Sequence, residues 1–364
     1  MEKVIKKRHW GKIILNSAVA VFVILLIYFA RDDIAKVGEM LGQINIWVLL
    51  LLIPAQIFSY FSGGMTIFSY LKGRQQLKDI KMTEVTAMSL ELNFMNHVFP
   101  SGGISGITYM VWRLKKLGIA GGQATMAQMI RFLAITVAFV VLLAVSLLAV
   151  TIDNKSDNWL VLVAAFVVSG VAFLIIFAAY VIGSKKRVIS FSHWISRLSN
   201  KVVQKITLGK FKKSILPLEK SEKFFLEIYE DFLALKEQKK LLIKPIAWGF
   251  AFVIADVALF AVAFLALGVD FNPALLVIAY GAASVMGMIM ITPGGAGGYE
   301  AVMVMVLAAG GMATAGATSG VILARVILIF ITLATGYVVY HRAMAKYGKP
   351  VMKQNVDILN VSGK

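Results

Sequence analysis

Apolar runs of close to twenty residues recur along the chain, near 13–30, 45–71, 124–150, 159–182, 245–267 and 321–340. About twenty apolar residues in a helix cross the hydrocarbon core of a bilayer. Where no water can satisfy backbone groups, only helices and closed barrels span. The short alternating segments of a barrel do not occur, so the spans are expected to be helical. Composition agrees: 59% of residues are hydrophobic, 15% are charged and the mean hydropathy is +0.81, against about 25% charge in a soluble domain. The expected fold is an all-α integral membrane protein with six full spans and two re-entrant helical hairpins in an inverted-topology repeat.

Charge orients the spans. The net charge of +18 comes mostly from basic residues beside the apolar runs, the mark of cytoplasmic loops. Topology and anionic headgroups account for it without nucleic acid as a partner. The basic start MEKVIKKRHWGK leads into a run longer than a signal-peptide core with no A-x-A site after it, so it is expected to be an uncleaved first span. Both termini are expected to be cytoplasmic, in a multi-pass protein of the plasma or inner membrane. The reading divides the chain into 1–44, a first repeat at 45–183 with a hairpin near 83–112 and an extra span, a connector at 184–244, a second repeat at 245–341 with a hairpin near 274–309, and a tail at 342–364. The connector carries fifteen Lys or Arg against six acids. Its first part resembles a basic surface helix, and its second places Phe225, Ile228, Phe232 and Leu235 on one stripe. A solvated connector is the plain reading and headgroup recruitment the sharper one.

Two proline–glycine clusters interrupt the apolar pattern, PSGGISG at Pro100–Gly106 and PGGAGGYE at Pro293–Glu300. Such breaks are tolerated at membrane depth where protein buries them or where they line a wet cavity. Two readings stand: tips of re-entrant hairpins facing one site, or glycine-rich turns at the membrane surface. Pro100 and Pro293 lie 193 positions apart, and Arg131 and Arg325, in AQMIRFLAI and VILARVILI, lie 194 apart. Equal spacing with opposite flanking charge is the pattern of an inverted repeat.

Arg131 and Arg325 are the two basic residues inside expected spans, each costing about 2.5 to 3.5 kcal/mol or more at a helix centre. A guanidinium fork suits phosphate oxygens, so both are candidate ligands of an anionic headgroup; snorkelling or pairing with a buried acid is the structural alternative. Glu300 falls in the first turn after its glycines, where it either caps that turn or pairs with an arginine. Thr86, Ser89, Asn93, Asn96 and His97 step by three and four along one helix face, the lining expected of a water-filled cavity. Asn93, Asn96, Gly102, Gly103, Gly297 and Gly298 join the candidate substrate-binding set; Glu91, Asp256 and His97 are candidates for a proton relay. His97 has no ligand companion at useful spacing, so no metal is expected. With no cysteine, disulfides and thiol chemistry are excluded. No catalytic triad, P-loop or dinucleotide fingerprint occurs, so neither enzymatic activity nor a cofactor is expected.

At NHVFPSGGISG, with Asn96 and Pro100, and ITPGGAGGYEA, with Pro293, Gly297, Gly298 and Glu300, the chain resembles the flippase-like transmembrane family that includes the membrane half of lysylphosphatidylglycerol synthases. The resemblance covers nearly the whole chain. It implies a lipid translocator without the soluble aminoacyl-transferase half. Many members carry an acid or an arginine just after the first glycine cluster, where this chain has Ile107, Thr108 and Tyr109, so headgroup specificity does not transfer with the resemblance.

The leading expectation is therefore translocation of an anionic phospholipid or polyprenyl-phosphate-linked lipid between leaflets, with Arg131 and Arg325 holding the phosphate. The alternatives are a proton-coupled transporter of a small anionic solute, and a membrane partner that docks another protein through 184–244. The expected partners are the lipid substrate and surrounding membrane lipids; homo-oligomerisation is left open.

Overall fold

The computed structural model describes residues 42, 44–99, 104–152, 169–170, 173, 176–177, 179–206, 217–290 and 292–348. The expected span at 13–30, the first glycine cluster with Gly102 and Gly103, most of the run at 159–182 and the tail beyond 348 lie outside the described residues.

Every long element described is helical: α1 (Ile46–Leu49), α2 (Leu52–Gly73), α3 (Met82–Val98), α4 (Ile104–Lys116), α5 (Gly121–Ile152), α6 (Lys185–Ile206), α7 (Leu218–Glu237), α8 (Ile243–Ala266), α9 (Pro273–Ile289), α10 (Gly298–Ala309) and α11 (Thr314–Tyr347). Among the described residues, the stretches Ile46–Gly73, Gly121–Thr151, Lys239–Ala266 and Thr314–Tyr347 are long and apolar enough to cross a membrane. They coincide with four of the six expected runs, so the protein is a multi-pass, all-helical membrane protein.

Local chemistry sets the ends of these helices. The Asn45 side chain accepts from the Trp47 and Val48 amides at 3.1 and 3.4 Å, and Asn272 accepts from Ala274 and Leu275 at 2.9 and 3.3 Å ahead of Pro273. A short polar cap and a proline at the first helical position both favour helix entry there. α3 stops at Phe99, whose extended backbone (φ −108°, ψ 123°) is what a following proline imposes. α9 stops at Met290 in the same conformation and is followed by a single 3₁₀ turn, Pro293–Gly295. In that turn Gly294, Gly295 and Gly297 have φ of 59°, 72° and 90°, values that a side chain would make costly.

The chain order α2–α3–α4–α5 is matched by α8–α9–α10–α11. α3 and α9 each have 17 residues, while α4 has 13 and α10 has 12. At 1.5 Å per residue the shorter two reach only about 20 Å, less than a hydrocarbon core. α4 folds back along α3, and α10 along α9. The two sets interlock: α2 packs along α8, α5 against α9, and α11 against α3. Glycines permit the closest approaches. A Cβ on Gly249 of α8 would come within 2.5 Å of the Ala134 carbonyl oxygen of α5, so these backbones meet directly.

The connector differs from a solvated linker. α7 packs on α5, with Ile228 and Leu235 buried beside Ile119 and Ala124, and Asp231 pairs with Arg74 at 3.2 Å. The apolar stripe at Phe225, Ile228, Phe232 and Leu235 has to bury itself, and the N-terminal end of α5 supplies the surface. α6 packs on α7, where the Ser221 hydroxyl donates to the Ser192 carbonyl at 3.1 Å, and keeps Trp194, Arg197 and Lys201 exposed.

Candidate functional site

The end of α3 meets the glycine turn between α9 and α10. His97, one residue before the end of α3, lies against Gly294 so closely that a Cβ on the glycine would stand 2.9 Å from the imidazole Cδ2. Beside this contact is a pocket of about 240 Å³ lined by Asn96 and His97 from the first hairpin, by Ser284, Gly287, Met288, Thr292, Gly294, Gly295 and Tyr299 from the second, and by Arg325 from α11.

Arg325 is the cationic side of the pocket. Its Nε donates to Glu300 at 2.5 Å, its Nη2 donates to the Gly294 carbonyl at 2.7 Å, and its guanidinium lies 4.5 Å over the Tyr299 ring. The other Glu300 oxygen accepts from the Gly297 amide at 2.7 Å. Glu300 thus both caps the first turn of α10 and pairs with the arginine, the two roles that the sequence left as alternatives. The positive-φ glycines explain the arrangement, because they turn the Gly294 carbonyl and the Gly297 amide toward side chains rather than into a helix.

The remaining candidates fall in different places. Asn96 lines the pocket while its Oδ1 accepts from the Gly106 amide at 2.8 Å, tying the two arms of the first hairpin together. His97 lines the pocket with Nδ1 held 2.9 Å from the Asn93 carbonyl. The Asn93 side chain bonds the Ser89 carbonyl of its own helix and is not among the pocket residues. Gly297 ends the glycine turn and Gly298 opens α10; neither is among the pocket residues.

The polar face of α3 reaches the pocket only at its end. Thr86 and Ser89 close onto the carbonyls of Met82 and Val85, and Ser89 packs against Gly64 of α2. Helix packing, not a cavity, covers that part of the face, because hydroxyls can satisfy themselves on their own helix.

Arg131 does not line the pocket. Its Nε is buried without a hydrogen-bond partner, Gly63 lies beside its Nη2, and the opposite charge it faces is Asp256. Asp256 accepts from Ser59 Oγ and Tyr280 Oη, each at 2.7 Å, and lies within electrostatic reach of both Arg131 and Arg325.

Glu91 stands away from the pocket, in a buried network. It accepts from Tyr109 at 2.9 Å and from Arg113 Nε at 3.0 Å; Arg113 also reaches Glu84 at 3.5 Å and stacks on Tyr347 at 4.0 Å. Arg113 stands with Lys115 and Lys116 in the basic last turn of α4, yet it is 3% exposed.

Sequence reasoning passed over Gln56, Tyr60 and Thr332, which bond one another and the Leu328 carbonyl where α2 meets α11. The signal was present in α2, where Gln56, Ser59, Tyr60, Gly63 and Thr66 step at helical spacing through an apolar run.

A family model described as the lysylphosphatidylglycerol synthase TM region matches residues 13–336. No curated protein matches the chain.

Proposed function

We propose that this chain, which belongs to the lysylphosphatidylglycerol synthase transmembrane-region family, is a lipid translocator that moves an anionic phospholipid or polyprenyl-phosphate-linked lipid between leaflets, and not an enzyme. The observation that carries the reading is the two-sided wall of the pocket. Arg325 offers a guanidinium on one side, while Met288, another lining residue, is 63% exposed on the apolar surface. A pocket that joins a buried cation to a lipid-facing side chain suits a headgroup phosphate whose tails stay in the bilayer. A small solute would instead call for an enclosed chamber.

In this reading the paired order of helices is an inverted-topology repeat. α3–α4 and α9–α10 are re-entrant hairpins entering from opposite sides, with their tips at the substrate. The swapped packing of α5 on α9 and α11 on α3 supports it, as do the short lengths of α4 and α10. Phosphate oxygens would replace the Gly294 carbonyl on Arg325 Nη2, and the glycine turn would open because no side chains lock it. Arg131 is the second cationic station, on the other half of the molecule.

The test is reconstitution in liposomes carrying a fluorescent phosphatidylglycerol, with transbilayer movement read by dithionite quenching. Movement that depends on Arg325 supports the reading. Protein that inserts and melts as the wild type does but moves no anionic lipid above empty liposomes overturns it.

A further inference from the structure

Arg131, Arg325, Asp256 and Glu300 form a neutral set of two guanidinium groups and two carboxylates. Arg325 and Glu300 are paired, and Asp256 lies in reach of both arginines. A phosphodiester entering beside Arg325 would add one uncompensated negative charge to a site where charge is poorly solvated. Something has to neutralise it.

The two carboxylates differ in how they are held. Glu300 accepts from a guanidinium and from a backbone amide, donors that cannot accept in return. Asp256 is held by the hydroxyls of Ser59 and Tyr280. A hydroxyl donates to a carboxylate and accepts from a carboxylic acid equally well, so Asp256 keeps its hydrogen bonds in either protonation state. The other groups facing it are Tyr60 of α2, Arg131 of α5, Tyr299 of α10 and Arg325 of α11. Asp256 is thus the one carboxylate among them that can change charge without losing a partner.

A route reaches it from the pocket. Ser284 lines the pocket, its hydroxyl donates to the Tyr280 carbonyl at 2.7 Å and stands beside the hydroxyls of Tyr280 and Tyr299, and the Tyr280 hydroxyl donates to Asp256. Hydroxyls in series can pass a proton by exchanging donor and acceptor roles.

We propose that an anionic headgroup binding at Arg325 is accompanied by one proton, taken from water and delivered through Ser284 and Tyr280 to the Asp256 carboxylate. The proposal rests on the lipid-translocator reading above. Before binding, the two arginines balance the two carboxylates. Afterwards Asp256 is a neutral acid, and the surplus positive charge, shared by Arg131 and Arg325, balances the phosphodiester.

Binding of dioctanoyl phosphatidylglycerol to the full-length protein in detergent, measured by titration calorimetry in two buffers of different ionisation heat, tests this. That headgroup does not itself titrate between pH 5 and 8. The wild type is expected to take up about one proton per lipid, with affinity rising as pH falls by up to about tenfold per unit. In Asp256→Asn the proton count is expected to drop to zero and the pH dependence to vanish. Wild-type binding without proton uptake overturns the proposal, whatever the variants do. Uptake that persists in Asp256→Asn but disappears in His97→Gln overturns the assignment to Asp256. Arg325→Gln separates the two levels: if it binds the lipid as the wild type does, the reading of the pocket falls, whereas lost binding there with no protons counted in the wild type removes only this inference.

Discussion

His97 and Gly294 touch across the two hairpins, ring against backbone, with no room for a methyl group between them. This contact brings Asn96 and His97 into the same pocket as Arg325, although more than two hundred residues separate them in sequence. Gly294→Val places a side chain both in that space and at a φ of 59°. Strain of this kind costs about 1 to 3 kcal/mol. A lower melting temperature and loss of lipid movement are expected together. Wild-type behaviour in both assays would mean that His97 and Gly294 do not meet this tightly.

Arg325 is bound to Glu300 and to the Gly294 carbonyl through two different nitrogens of one planar fork. Lysine keeps the charge and loses the fork. Arg325→Lys is therefore expected to retain part of the lipid affinity. Arg325→Gln, without a charge-assisted bond worth about 1.5 to 3 kcal/mol, should lose about 10- to 100-fold. Equal affinities for lysine and glutamine variants in the calorimetric titration would show that charge at this position is irrelevant.

The buried Glu91–Arg113 pair is expected to act in stability and not in transport. Removing Glu91 leaves the buried Arg113 with only the more distant Glu84 and the Tyr347 ring, at a cost of up to about 3 to 5 kcal/mol, whereas replacing both members with apolar residues is much milder. Glu91→Leu should melt lower than Glu91→Leu combined with Arg113→Met. Lipid movement per folded molecule should stay at the wild-type level in the double variant.

Gly64 of α2 receives the Ser89 hydroxyl of α3, where a Cβ would stand 2.0 Å from Oγ. Gly64→Ala should destabilise the protein. Ser89→Ala should relieve part of the loss, with a coupling of about 0.5 to 3 kcal/mol in a double-mutant cycle on thermal unfolding. Additive effects would mean that the two helices are spaced more widely.

Where α7 packs on α5, burial pushes the Asp231 carboxyl above the ordinary carboxylate range, Arg74 opposes that shift and Glu230 adds to it. A raised folded value means that the unfolded chain loses this proton first. The stabilising contribution is therefore complete below the ordinary carboxylate value and is lost as pH rises through the higher folded value. Asp231→Asn should flatten that part of the stability–pH curve. An unchanged curve would assign the pH dependence elsewhere.

The class of the protein could be read from one dimension. Run length and the scarcity of charge determine that the backbone must satisfy itself in helices. Pro100 and Pro293 mark where α3 and α9 have to stop, and the position of Glu300 just after its glycines makes it a helix cap. These are properties of neighbours along the chain, where the covalent geometry is known in advance. Partnerships between helices were decided only in three dimensions. Periodicity shows that Ser89 and Asn96 share a face, but not that Gly64 covers one while the pocket receives the other. Arg131 and Arg325 are alike in sequence, yet Glu300 and Gly294 fold over one while the other faces Asp256 from another helix. Arg113 is indistinguishable from its exposed neighbour Lys116 until α3 and α11 close over it. The reason is physical: the energy of a buried charge depends on which groups stand within a few ångströms, and helix packing alone determines that.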